Sequence, residues 1–436
     1  MTSTWWAQTL LHHQAIDRGY AEGPNHLRRR DLPHLARLWW ATGDRVPAAK
    51  YPDGVLAANS PHLSVLDELG DHLDVLWGAL IAFAIVVLLT PAVGGMARRF
   101  GVVDVPGGRR INQLPVPRLG GIALFLGILV PALAFLHVGH QTRGLLLGAA
   151  IAVTVGIVDD FRGLPWYAKL GGQVAAAAVA TGFGIWVHRF TFPFVGIHTL
   201  PASVGIPLTI VWIVAIMNMV NFLDGLDGLA AGVAAIAGLT FSVIALSLGK
   251  VDAAVLSAIV FGACVGFLRH NFYPARIFMG DSGALLLGYV LAAVSVQGLL
   301  KTAATVALFF PLLVLAVPIV DTTFVVARRL KHGEPVFEGD QAHLHHRFLR
   351  RGFTQPQAAM TIWVWCLSLA AAALATRFVP FREHGVWHLW PTLLAAVIAA
   401  VALGFSVYVV YLLEIVKFAN PIQRRRAEND PLKRAS

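Results

Sequence analysis

The sequence predicts an all-α integral membrane protein of about eleven transmembrane helices, with its polar chemistry gathered at the cytoplasmic face. Three observations predict it. Charged residues make up 13% of the 436 residues and hydrophobic residues 57%, whereas a soluble globular protein carries about 25% charged residues. The apolar residues fall into blocks of roughly the 17–25 residues that cross a bilayer core as a helix, and a segment in lipid must satisfy its own backbone polar groups. Every unusual polar cluster falls in the loops that hold the excess of Lys and Arg.

The elements follow in order. Residues 1–72 are polar, carry Trp pairs at Trp5–Trp6 and Trp39–Trp40, and contain no spanning block. They are read as a flexible N-terminal extension without the pattern of a signal peptide. Spans are expected at 73–97, 119–137, 144–158, 170–188, 203–222, 228–248, 252–268, 283–299, 304–326, 358–376 and 391–416. Short connections make 73–420 one helical domain, and 421–436 is a basic cytoplasmic tail. Cys264 and Cys366 lie in separate apolar blocks and imply neither a disulfide nor a metal site.

Orientation follows from alternate loops. One set, with the C-terminal tail, holds 21 Lys and Arg; the other, leaving out residues 1–72, holds six. Positive loops stay inside, so the first set is cytoplasmic. The net charge of +10 is thereby assigned to cytoplasmic loops, and no nucleic-acid partner is expected. The N-terminal extension then falls outside, in tension with its polarity.

Five clusters carry the chemistry, all on the cytoplasmic side. Asp159 and Asp160, followed by Lys169, end the third span. Adjacent carboxylates repel unless a cation or a shared proton lies between them, although a helix stop at the headgroups explains the pair as well. Asn218, Asn221, Asp224 and Asp227 come next, with Gly225 and Gly228 between and after the acids. Residues three apart share a helix face, and two amide oxygens with two carboxylates suit a hard cation such as Mg²⁺. Phe278 and Asp281 open the eighth span, where Asp281 is either a metal ligand or an N-cap. Asn271 and Phe278 are placed to hold and stack a base. In the longest cytoplasmic loop, His343, His345, His346 and Arg347 suit phosphate binding or proton donation better than zinc, because no Cys accompanies them. Arg109, Arg110 and Arg118, among Pro and Gly, form a loop able to hold polyphosphate.

These motifs in this order, together with Pro115–Gly121, resemble the polyprenyl-phosphate N-acetylhexosamine-1-phosphate transferases (glycosyltransferase family 4) over about residues 73–420. The run His343-Leu344-His345-His346, then Gly352-Phe353-Thr354 and Gln357-Ala358, is similar to the branch that transfers GlcNAc-1-phosphate. The phospho-MurNAc-pentapeptide branch typically has three successive histidines. Asn112 departs from the family, in which many members have His there.

The resemblance implies transfer of GlcNAc-1-phosphate from UDP-GlcNAc to a polyprenyl phosphate in a bacterial inner membrane, initiating a cell-envelope polysaccharide. It implies Mg²⁺, with Mn²⁺ as an alternative, held by Asp281 and Asn221. It places Asp159 and Asp160 near the lipid phosphate. Lys169, His343, His345 and His346 surround the pyrophosphate, and Asp224, Asp227, Asn271 and Phe278 line the uridine pocket. Asn218, Arg118 and Arg347 complete the substrate-binding set, and a homodimer is one assembly open to such a domain. The competing readings are a phospho-MurNAc-pentapeptide transferase, another UDP-HexNAc donor, and a transporter. A carrier, however, places its site near the midplane.

Overall fold

A computed structural model describes residues 69–104, 115–192, 196–299, 309–333, 343–379, 382–383 and 386–413. The N-terminal extension through residue 68, the basic tail, Arg109, Arg110 and Asn112 lie outside the described residues.

The chain runs up and down as helices. In order they are α1 (Leu73–Arg99), α2 (Gly120–Phe135), α3 (His140–Arg162), α4 (Trp166–Gly182), α5 (Ala202–Leu223), α6 (Leu229–Ser247), α7 (Val251–Asn271) and α8 (Gly280–Val294). Then follow α9 (Phe309–Val314), α10 (Ala316–His332), α11 (Leu344–Arg350), α12 (Gln355–Phe378) and α13 (Leu389–Leu412). Two-stranded hairpins close some turns: β1 (Val103–Asp104) with β2 (Val116–Pro117), β3 (Arg189–Phe192) with β4 (Gly196–Thr199), and β5 (Arg382–Glu383) with β6 (Val386–Trp387).

Among the described residues, eight helices are long and apolar enough to cross a membrane, against about eleven expected spans. The difference has local causes. α2 has 16 residues and α4 has 17. Of the stretch expected at 304–326, residues 304–308 lie outside the described residues, and the rest is divided at Leu315 into α9 and α10, where Pro311 and Pro318 lie seven residues apart. A proline is tolerated in a helix's first turn, as Pro318 is, but disrupts the turn before it.

α8 is the hub. Every residue of it except Asp281 is buried, and it packs against α2, α3 and α5. By contrast, α13 buries only Ala402 and Val409 and exposes Leu389, Trp390, Leu393, Val397 and Leu403. Water does not tolerate an apolar face of that size; lipid does. Within the bundle, small residues allow close crossings. A Cβ on Gly262 or Gly266 of α7 would strike the backbone of Ala79 or Phe83 of α1. A second apolar cluster joins Leu223, Leu226 and Leu229 to α12, α13 and the start of α11. Leu344, which interrupts the histidine run, is 2% exposed there. Its place in the run is therefore a packing requirement.

Candidate active site

The ends of α1, α3, α5, α7 and α10 meet the starts of α2, α4, α8 and α12 at the end of the bundle that carries the basic loops. The polar groups converge there. Eight of the expected residues, Arg118, Asn221, Asp224, Asp227, Phe278, Asp281, His345 and His346, line one cleft of about 250 Å³. Asp104 and Gln355 line it too; Asp104 opens the loop expected to hold polyphosphate, and Gln355 belongs to none of the expected clusters. Asp104 sits on a two-residue strand with no periodicity to mark it, and Gln355 is an ordinary first-turn residue of α12.

Lys169 is the electrostatic centre beside the cleft. Its Nζ lies 2.6 Å from Asp281 Oδ2, 2.9 Å from Asp159 Oδ2 and 3.2 Å from Asn221 Oδ1. Asn221 Nδ2 in turn donates to Asp281 Oδ1 at 2.7 Å. Three helices thus turn oxygens toward one ammonium. The donor set is hard oxygen, two carboxylates and one amide, which is the kind Mg²⁺ takes alongside water and phosphate. Among the described residues no group of three or more His, Cys, Asp or Glu converges as a closed metal cage.

Asp159 and Asp160 do not act as a pair. Consecutive helical residues point about 100° apart, so Asp159 faces Lys169 while Asp160 turns into the bundle. The Asp160 side chain is 0% exposed. It accepts from the backbone N–H of Asp281 at 2.9 Å, and from the N–H and Oγ–H of Ser282 at 3.1 and 2.8 Å. Asp160 therefore caps α8 from a neighbouring helix, satisfying N–H groups that a helix start leaves open. Its carboxylate is also 3.6 Å from Arg118 Nη2. Both Asp160 oxygens are engaged within the bundle by these contacts. Asp281 is not an N-cap: Met279 holds that position, and Asp281 lies in the first turn. Gly280, at φ 69°, has no room for a Cβ against the Asp160 carboxylate.

Four other expected residues lie behind the cleft. Asn218 exchanges amide hydrogen bonds with Gln173 of α4 at 2.6 and 3.2 Å and donates to Val214 O. Asn271, 2% exposed, accepts from Gly228 N–H and donates to Ile277 O. It ties the Asp224–Gly228 turn to the approach to α8. Arg347 lies over the Phe324 ring and donates to Leu413 O, so its guanidinium is turned away from the cleft. His343, 7% exposed, sits against Asp321. Asp321 and Gln173 carry no motif signal; only the fold reveals them.

The turn after α5 shapes the remaining chemistry. Burial, then the neighbouring carboxylates of Asp281 and Asp160, push the Asp224 carboxyl up to about 8. Burial also raises Asp227, against the pull of the Ala275 N–H that its Oδ2 accepts. Burial and the neighbouring His346 and His343 hold His345 well below the usual imidazole range. His345 Nδ1 is buried with no partner. His345 Nε2 faces Gly225, where a Cβ would overlap it, and the residue lines the cleft.

The fold and site define a multi-spanning membrane enzyme with an acidic, lysine-centred site at one end of its helices. Residues 142–299 match the family model described as "Glycosyl transferase family 4". The chain is 34% identical over 298 residues to the "Probable undecaprenyl-phosphate N-acetylglucosaminyl 1-phosphate transferase" of Bacillus subtilis (strain 168), covering 68% of this chain and 83% of that one. It is 34% identical over 336 residues to the "Decaprenyl-phosphate N-acetylglucosaminephosphotransferase" of Mycobacterium leprae, covering 70% and 84%. It is also 33% identical over 336 residues to the "Phospho-N-acetylmuramoyl-pentapeptide-transferase" of Desulforudis audaxviator, covering 70% and 98%. The chain belongs to the polyprenyl-phosphate N-acetylhexosamine-1-phosphate transferase family.

Proposed function

We propose that this protein transfers GlcNAc-1-phosphate from UDP-GlcNAc to a polyprenyl phosphate at the cytoplasmic face, with Mg²⁺, releasing UMP. The observation that carries the reading is the meeting of Asn221, Asp224, Phe278, Asp281 and His345 in one cleft, from segments up to 124 residues apart in sequence. The names of the relatives support the donor and the lipid. The excess of Lys and Arg at the site end supports the cytoplasmic orientation.

A phosphate oxygen of the lipid attacks the sugar-bearing β-phosphorus of UDP-GlcNAc. The bond from that phosphorus to the bridging oxygen breaks, and UMP leaves with the electron pair. The second pKa of a phosphate monoester is about 6, so the nucleophile is already ionised and needs no strong base. Two anions must be brought together, hence charge neutralisation and alignment dominate. Lys169 and Arg118 spread negative charge, and His345 donates to a phosphate or sugar oxygen. Asp224 and Asp227 accept from the uracil and ribose donors, and Phe278 stacks on the base. Asp281 and Asn221 would hold Mg²⁺, which would supply charge stabilisation for the leaving phosphate. Asp160 and Asn271 keep these groups in register.

The second reading, transfer of phospho-MurNAc-pentapeptide, draws on the 33% identical relative. The histidine run interrupted at Leu344 is similar to that of the GlcNAc branch and favours it. Purified protein given polyprenyl phosphate, Mg²⁺ and one UDP-sugar at a time separates the two. UMP formed from UDP-GlcNAc and not from UDP-MurNAc-pentapeptide supports the proposal; the reverse preference refutes it.

A further inference from the structure

Asp321 belongs to none of the expected clusters. It sits on α10 and is 2% exposed. A buried ionisable group is costly unless it is paired and hydrogen-bonded. Both of its oxygens are engaged by the histidine segment: Oδ1 accepts from the Leu344 backbone N–H at 2.9 Å, and Oδ2 lies 3.1 Å from His343 Nδ1. His343 is the N-cap residue of α11 and Leu344 its first residue. One carboxylate therefore holds the start of the helix that carries His345 and His346. One turn further along α10, the Phe324 ring lies 4.4 Å from the Arg347 guanidinium carbon, a second tie between the same helices.

The contacts continue toward the cleft. The His343 ring stacks on His345 at 5.9 Å with 7° between planes, and His345 meets His346 at 4.2 Å. His345 and His346 line the cleft; His343 does not. A carboxylate accepting from an imidazole Nδ1–H fixes both the ring proton and the ring plane. Partners of this kind, one layer behind the reacting groups, typically change activity by 10- to 100-fold in metal sites.

We propose that Asp321 is a positioning residue for the transfer reaction: by anchoring His343 and the start of α11, it holds His345 and His346 at the cleft. The proposal rests on the functional reading above. Its alternative is that Asp321 merely joins two helices, and the two readings predict different behaviour.

The test has two arms on purified full-length protein. The first follows amide hydrogen exchange in wild type and Asp321→Ala. Faster exchange confined to 343–350, with 221–228 unchanged, is the expected result. Equal acceleration in both segments reports general loosening and overturns the proposal. The second arm follows UMP release. Displacing catalytic groups by about 1 Å can cost about 100-fold, so kcat of Asp321→Ala should fall on the order of 30- to 100-fold. The uridine-facing groups come from other elements, so the donor KM should change by less than about threefold. Adding His343→Ala should lower kcat no more than about twofold further, because the two residues act as one unit. A kcat close to wild type, a loss confined to KM, or fully multiplicative losses overturn the proposal.

Should Asp321→Ala not fold, Asp321→Asn serves. It keeps an acceptor for Leu344 N–H and loses the match to His343 Nδ1–H, so kcat should fall about tenfold, roughly the lower bound for a lost supporting partner. An unchanged kcat overturns the idea. If wild type itself releases no UMP from any donor, the functional reading fails and takes the catalytic half of this proposal with it. The exchange arm then still decides the anchoring half.

Discussion

Asp160→Asn offers the sharpest contrast between a chemical and an architectural carboxylate. Wild-type Asp160 accepts three hydrogen bonds from the first turn of α8 and faces Arg118. Asparagine keeps one oxygen but turns an NH₂ group toward donors. Hydrogen bonds to charged groups contribute about 1.5–3 kcal/mol each, and breaking a buried ion pair costs about 3–5 kcal/mol. The loss for Asp160→Asn should therefore be about 2–4 kcal/mol, with Asp160→Ala at or above the upper end. Asp281 is one of the residues held by this cap, so turnover should fall with stability, by roughly 100-fold for a shift of about 1 Å. The assay pairs thermal unfolding in detergent with UMP release, using Asp159→Asn as the comparison. Asp159 faces Lys169 and the Leu164 N–H, so its substitution should reduce turnover with a smaller loss of stability. An Asp160→Asn protein with wild-type Tm and no activity would refute the capping role and return Asp160 to the chemistry.

Other expectations follow from the same geometry. Lys169 holds the oxygens of Asp281, Asp159 and Asn221, so it competes with a divalent ion for them. Lys169→Ala should lower kcat on the order of 100-fold yet reduce the half-saturating Mg²⁺ concentration; an increase would contradict the competition. Burial and the neighbouring carboxylates push the Asp224 carboxyl up from 3.8 to about 8. Between those values the folded state holds the extra proton, so Mg²⁺-free stability should fall as pH rises through this window. Asp224→Asn should flatten that fall, and an unchanged slope in stability against pH would exclude Asp224 as its source. Gly225→Ala should displace His345, whose ring occupies the space of the new Cβ. Turnover should then drop on the order of tenfold, and retention of wild-type kcat would show that the His345 position is not needed.

The helices were legible because lipid demands long apolar blocks. The division at Leu315 was hidden because the apolar run continues through it, with only Pro311 and Pro318 to hint at a break. In the site, Asn221, Asp224 and Asp281 were legible as polar groups at helix ends, where they are costly without a task. Direction was not legible. Asp159 and Asp160 read as a pair, but the helix turn sends one to Lys169 and the other to α8. Asn218 is one turn from Asn221 and shares its face, yet that turn takes it below the cleft to Gln173. The same holds for His343 against His345: neighbours in sequence, one behind the cleft and one on it. Asp321 was visible only as a lone acid within an expected span, and a single acid names no partner until the fold brings one.

The central claim is that the cleft moves a sugar together with its phosphate, breaking the pyrophosphate and leaving the glycosidic bond intact. UDP-GlcNAc labelled with ³²P at the β-phosphate tests it directly. With wild-type protein, polyprenyl phosphate and Mg²⁺, the label should enter the lipid fraction while unlabelled UMP accumulates in water. Label remaining in the aqueous phase as UDP while GlcNAc enters the lipid would mean transfer of the sugar alone, and would contradict the account.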